Sequence, residues 1–127
     1  MDCACVYVDT DYGGPTVHTA EKRKARKPHK CTECRRVIGK GETYLHEKGL
    51  WEGRWETYKT CAECLEIRTE FFCSGWLYGE VMYDFREYVS EMRGDVSESK
   101  IADLSPSARA VVCGVIEAYW GNQEADE

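Results

Sequence analysis

Strand-like and helix-like patterning divide this chain into a front part and a back part. Near the start, Ala4, Val6 and Val8 alternate with Cys3, Cys5, Tyr7 and Asp9, which predicts a strand over Cys3 to Asp9 with both cysteines on one face. Asp11-Tyr12-Gly13-Gly14-Pro15 is turn chemistry, and the stretch from there to Pro28 is polar and basic without sustained periodicity, so it reads as an extended connection. Glu42 to Leu50 and Arg54 to Thr60 suit two strands joined by a tight turn at Glu52-Gly53. Thr60 is placed to cap a helix running from Cys61 to about Phe72. Leu77, Val81, Phe85, Tyr88, Val89 and Met92 then recur at helical spacing, opposite Glu80, Asp84, Glu87 and Glu91, until Gly94 ends the pattern. Ser105-Pro106 has the form of a helix start, and Ala108, Val111, Val112, Val115, Ile116 and Tyr119 make the stripe that follows. Residues 95 to 104 read as a linker with at most one short turn of helix, and residues 121 to 127 as an acidic tail.

Two cysteine pairs change this picture from a generic small domain to a metal protein. Cys31-Thr-Glu-Cys34 and Cys61-Ala-Glu-Cys64 are Cys-x2-Cys motifs separated by 26 residues. Two residues between cysteines let a tight turn aim both sulfurs at one point, and four thiolates satisfy a tetrahedral structural Zn2+. The closed four-sulfur set leaves no position for water or substrate, which argues for a scaffold and against metal catalysis. Redox Cys-x-x-Cys chemistry needs a βαβ setting that the pattern does not supply.

Size and composition are those of one globular domain over residues 1–127, with a zinc-binding β-rich part over 3–73 and a helical part over 76–120: 43% hydrophobic and 31% charged residues, with 8 cysteines. No run reaches the roughly 20 apolar residues that span a bilayer, and eight cysteines suit metal better than disulfides in a reducing cell interior, so a soluble cytoplasmic protein is expected. The net charge of −6 hides a division: residues 22 to 40 carry nine bases against Glu33, a local +8 that leaves −14 on the remainder. Residues 80 to 127 alone sum to −7. The expected molecule is bipolar, with a basic segment beside the first cysteine pair and an acidic helical end.

Further candidates follow from residue type. Cys3 and Cys5, aimed the same way, together with Cys73 and a nitrogen from His29 or His18, make a possible second zinc site; the competing reading leaves them as strand cysteines and solvated histidines. Lys22, Arg23, Lys24, Arg26, Lys27, Lys30, Arg35 and Arg36 are candidates for phosphate or acidic-partner contact, against a reading as a solvated arm. Trp51 and Trp55 flank the hairpin turn and either cover a small core or present a contact surface. No Ser-His-Asp order and no phosphate-binding glycine motif occurs, and His46 is the lone histidine between the cysteine pairs, so no catalytic residue is assigned.

The order of cysteine turn, hairpin, and helix whose first turn supplies two more cysteines resembles a treble-clef zinc finger over roughly residues 29 to 73. The fold class expected is therefore α+β: a treble-clef-like finger with an N-terminal strand and two C-terminal helices. The runs Arg26-Lys-Pro-His-Lys-Cys-Thr-Glu-Cys34, Ile38-Gly-Lys-Gly-Glu-Thr-Tyr44 and Tyr58-Lys-Thr-Cys-Ala-Glu-Cys64 look like those of small phage-encoded proteins of no assigned activity. That resemblance implies a phage origin and a location in the bacterial host cytoplasm. The finger is also similar to PARP-type DNA-binding fingers, which use a histidine where this chain offers Cys61 and Cys64. The function expected is a non-enzymatic zinc-binding accessory protein with a host or phage protein as partner. The alternatives are a nucleic-acid-binding finger using residues 22–40 and, third, a metal-dependent nuclease.

Overall fold

A computed structural model describes residues 17–72 and 75–125; the strand expected over Cys3 to Asp9 and its following turn lie outside them. Within that span the chain is a mixed structure with an antiparallel three-stranded sheet, a two-stranded ribbon and four helices. In chain order these are β1 (Val17–Lys24), β2 (His29–Lys30), β3 (Val37–Ile38), β4 (Thr43–Trp51), β5 (Arg54–Thr60), α1 (Ala62–Phe71), α2 (Val81–Glu91), α3 (Glu98–Ala102) and α4 (Pro106–Ala125).

The sheet order is β1-β4-β5. The β4–β5 hairpin closes on Glu52 and Gly53, both at positive φ (49° and 79°), as a two-residue turn matched to strand twist demands. β1 corrects the sequence reading, which treated this stretch as an unpaired connection. Its only strongly apolar residue is Val17, so no alternation signals it; backbone pairing to β4 from Val17↔Leu50 to Lys24↔Thr43 holds it as a charged edge strand.

Because side chains alternate across a strand, this register sorts residues onto two faces. The inner face carries His18, Leu45, Glu47, Trp51 and Tyr58 and is covered by α1 and the turn before α2. The outer face carries Glu21 and Arg23 from β1, Tyr44, His46 and Lys48 from β4, and Trp55, Thr57 and Lys59 from β5. On the inner face Gly49 is a packing requirement: the Trp51 ring folds back over it so closely that an added Cβ would lie 2.3 Å from ring carbons. Trp51 then meets Tyr58 and Tyr78 edge-on, both at 5.7 Å, while those two tyrosines stack at 4.4 Å.

The helices pack around Ile67, Phe71, Phe85, Val89, Ala108 and Val112, all fully buried, with Phe71 and Phe85 ring centroids 5.0 Å apart. α2 starts at Val81 rather than at Leu77, because Tyr78-Gly79 makes a turn with Gly79 at φ 83°. α3 occupies the expected linker as a short helix, and α4 runs on through the expected tail to Ala125. Ser105 caps α4 as read, accepting the Ala108 amide at 3.3 Å while its own hydroxyl donates to Glu66 of α1 at 2.6 Å. The expected cap of α1 moves by one residue. Cys61, not Thr60, is the N-cap, its sulfur accepting the Cys64 amide, and the buried Thr60 hydroxyl has no hydrogen-bond partner.

Candidate metal centre and basic face

The two cysteine pairs are brought together by different local devices. β2 and β3 pair as His29↔Ile38 and Lys30↔Val37, and the chain between them reverses tightly: the Cys31 amide donates to Arg36 O (2.9 Å) and the Arg35 amide to Cys31 O (3.0 Å). Arg35 takes φ 68° to complete this turn, a left-handed conformation that costs an L-residue roughly 1–2 kcal/mol. The second pair sits where β5 ends and α1 begins, on the N-cap and in the first turn of that helix.

The four Sγ atoms lie within 4.8 Å of one another, with Cys34 and Cys61 at 3.8 Å. A tetrahedron with metal–sulfur bonds of about 2.3 Å has edges of about 3.8 Å, so the donor set fits such an ion. None of the four is in a disulfide, and Cys31, Cys61 and Cys64 are fully buried. Backbone amides already point at the sulfurs, Cys61 N to Cys31 Sγ at 3.4 Å and Cys64 N to Cys61 Sγ at 3.5 Å. Crowding forces these thiols to share charge: hydrogen bonds from Cys61 and then Cys64 pull the Cys31 thiol far below its ordinary value. The same hydrogen bond to Cys31 pushes Cys61 up to about 12, and Cys64 is raised likewise. A cation at the centre relieves that conflict by favouring thiolate at every position.

The two residues inside Cys31-Thr-Glu-Cys34 are structural members as well. The Thr32 amide donates to Lys59 O (2.7 Å) and its hydroxyl accepts the Lys59 amide (3.0 Å), tying the turn to the end of β5. Glu33 is buried and accepts the amides of Gly79 (2.9 Å) and Val81 (3.0 Å), which fixes the start of α2 to the cysteine turn. Arg36 joins the turn to the rest by ion pairs to Glu42 (2.9 Å) and Glu63 of α1 (2.8 Å). Deeper in, Glu47 of β4 accepts from Arg68 (2.8 Å) and from the Tyr78 hydroxyl (2.8 Å), with His18 Nε2 at 3.0 Å.

The remaining sequence candidates separate. Cys3, Cys5 and Cys73 lie outside the described residues. Of the two histidines proposed with them, His18 is on the inner face against Glu47 and Tyr78, and His29 is beside Lys59 Nζ (3.2 Å) with its ring 5.3 Å from Tyr44. Trp51 and Trp55 occupy opposite faces: Trp51 packs inward, whereas Trp55 is 54% exposed on the outer face with Lys48 Nζ 4.9 Å above its ring.

The basic residues gather instead of forming a free arm. An open basin of about 1230 Å³ is lined by Arg23, Lys24, Arg26, Lys27, Lys40 and Lys59, with His29, His46 and Tyr44 in its wall and Glu21 as its acid. Lys22, Lys30, Arg35 and Arg36 stand outside this lining. Burial, then Lys59 and Lys27, lower the His29 pKa; burial, then Arg23, lower that of His46. Sequence reasoning missed Lys59 and His46 as members. They are direct partners across β4–β5 and therefore share a face, a relation readable from the Glu52-Gly53 turn once its two-residue register is fixed.

No protein-family model, curated protein or solved structure matches this chain. Among the described residues no helix is long and apolar enough to cross a membrane.

Proposed function

We propose that this chain is a zinc-stabilised, treble-clef-like module without catalytic activity that binds nucleic acid through the outer face of its sheet. Zinc is the ion that four closely spaced thiolates favour, and a site closed by sulfur serves folding rather than turnover. The observation that carries the binding role is the gathering of Arg23, Lys24, Arg26, Lys27, Lys40 and Lys59 around one concave surface, with Glu21 as the acid among them. That arrangement matches a phosphate backbone, and it overrides the net charge of −6 locally because the acidic side chains of α2, Asp84, Glu87 and Glu91, belong to a different element. A phage accessory protein acting in a bacterial host, the setting that the sequence resemblance implies, is compatible with this role.

Binding of labelled oligonucleotides by fluorescence anisotropy across a salt series tests it. Affinity should fall with salt, with a log–log slope no steeper than about −5 if all six cations meet phosphates. Replacing Arg26, Lys27 and Lys59 together by glutamine should flatten the slope by about three. No affinity for any oligonucleotide at low salt sinks the reading and returns a host or phage protein as the partner to first place.

A further inference from the structure

The outer sheet face continues beyond the basin, and what it carries there distinguishes one kind of nucleic acid from another. Moving along β4 from Tyr44 to Leu50, the rows across the sheet are Arg23–Tyr44, then Glu21–His46–Lys59, then Thr19–Lys48–Thr57, then Val17–Leu50–Trp55. The first rows carry Arg23, Tyr44, His46 and Lys59, with Glu21 paired to Arg23. The last ends on a tryptophan that is 54% exposed and capped by a lysine ammonium at 4.9 Å rather than by protein core. Tyr44 and Leu50 are six residue steps apart along the strand, about 20 Å at 3.3–3.4 Å per step, which is room for a few extended nucleotides.

We infer that the ligand is single-stranded, with its phosphates over the basin and an unpaired base stacked on Trp55. This rests on the nucleic-acid reading above and names the form the site selects. A duplex offers the basin its phosphates but has no free base face to lay against an indole, because its bases are stacked on each other. A single strand offers both, and base–aromatic stacking is tolerant of sequence, as expected for a surface with one exposed ring. Lys48 fits this arrangement in two ways. It already lies over the indole, and when a base takes that place its ammonium stands beside the phosphate that joins the base to the strand. The partner is recognised by a polyanionic backbone and an accessible base, so DNA and RNA strands share the chemistry.

The experiment compares a twelve-nucleotide thymidine DNA strand, the matching uridine RNA strand and a twelve-base-pair DNA duplex, each labelled, against the zinc-loaded 127-residue chain at low salt. Either single strand should bind at least about tenfold more tightly than the duplex, the better of the two identifying the source of the ligand. Trp55→Ala should weaken single-strand binding by about tenfold or more while leaving duplex binding within about twofold, and Trp55→Phe should recover most of the loss. Trp55 is exposed on an edge strand, and an unchanged thermal transition of the variant shows that the effect is not one of folding. Equal affinity for duplex and strands, or a Trp55→Ala chain that binds strands undiminished, overturns the inference while leaving the nucleic-acid reading intact. Absence of binding to all three probes overturns both.

Discussion

At the scale of single residues, the strongest constraint outside the metal centre is Glu47. A carboxylate and a guanidinium buried together are costly to desolvate, and the pair persists here because every partner is supplied: Arg68 on one oxygen, Tyr78 and His18 on the other. Arg68 also lies 4.1 Å from the Trp76 ring, so its far face is covered by an aromatic surface. Removing one partner should therefore hurt more than removing both. Glu47→Gln is expected to cost about 3–5 kcal/mol in urea unfolding, and the double replacement Glu47→Leu with Arg68→Met less than either single change. Additive losses would contradict this account. The pair also sets a pH dependence. Burial raises the Glu47 pKa, but the Arg68 and Tyr78 hydrogen bonds outweigh it and hold the group below its ordinary value of 4.5. A carboxyl depressed in the folded state stabilises above its unfolded pKa and loses that contribution as pH falls through the folded one. Stability should thus drop below about pH 4.5, and Glu47→Gln should flatten that part of the profile.

At the scale of elements, the cysteine turn organises more than metal. Glu33 accepts two amides at the start of α2, a helix whose own N-cap residue, Glu80, makes no side-chain cap. Glu33→Ala is expected to cost about 1–3 kcal/mol, and hydrogen exchange should show the Gly79 and Val81 amides losing protection while those of α4 keep theirs. Unchanged protection at these two amides would show that α2 is held by packing alone. None of this was legible beforehand, because Glu33 meets partners 46 and 48 positions away and nothing in Cys-Thr-Glu-Cys specifies them. The elements that sequence does announce are those with local signals. The β4–β5 hairpin follows from its turn, α1 from the second cysteine pair, and α4 from Ser105-Pro106 and its apolar stripe. β1 escapes because an edge strand with both faces largely polar needs only backbone pairing, and its Arg23 and Lys24, read as part of an arm, line the basin. Likewise Trp51 and Trp55 look equivalent in sequence, yet a two-residue turn pairs Trp51 with Arg54 and sends Trp55 to the opposite face.

At the scale of the whole molecule, the four-cysteine cluster stands where the sheet, the cysteine turn and α1 meet. Its first turn follows His29, which lines the basin, and carries the cap of α2 at Glu33. Its second carries the end of β5, next to Lys59, and the start of α1, whose Phe71 enters the helical core. Without a cation the four crowded thiols must share or take up protons, a rearrangement that reaches the contacts through Thr32 and Glu33. Chelation should therefore remove structure from the sheet and the helices in one cooperative step, not loosen a loop, with far-ultraviolet circular dichroism losing most of its helical signal. Oligonucleotide binding should disappear over the same chelator range, because Lys59 and His29 each stand two residues from a ligand and lose their fixed relation together. Helical signal that survives full metal removal would separate α2 and α4 from the centre and make the ion an accessory of the finger alone. Metal content measured on the same sample adds an independent constraint. One ion per chain is accounted for by Cys31, Cys34, Cys61 and Cys64, whereas two would require donors outside that cluster and bring Cys3, Cys5 and Cys73 back as ligands.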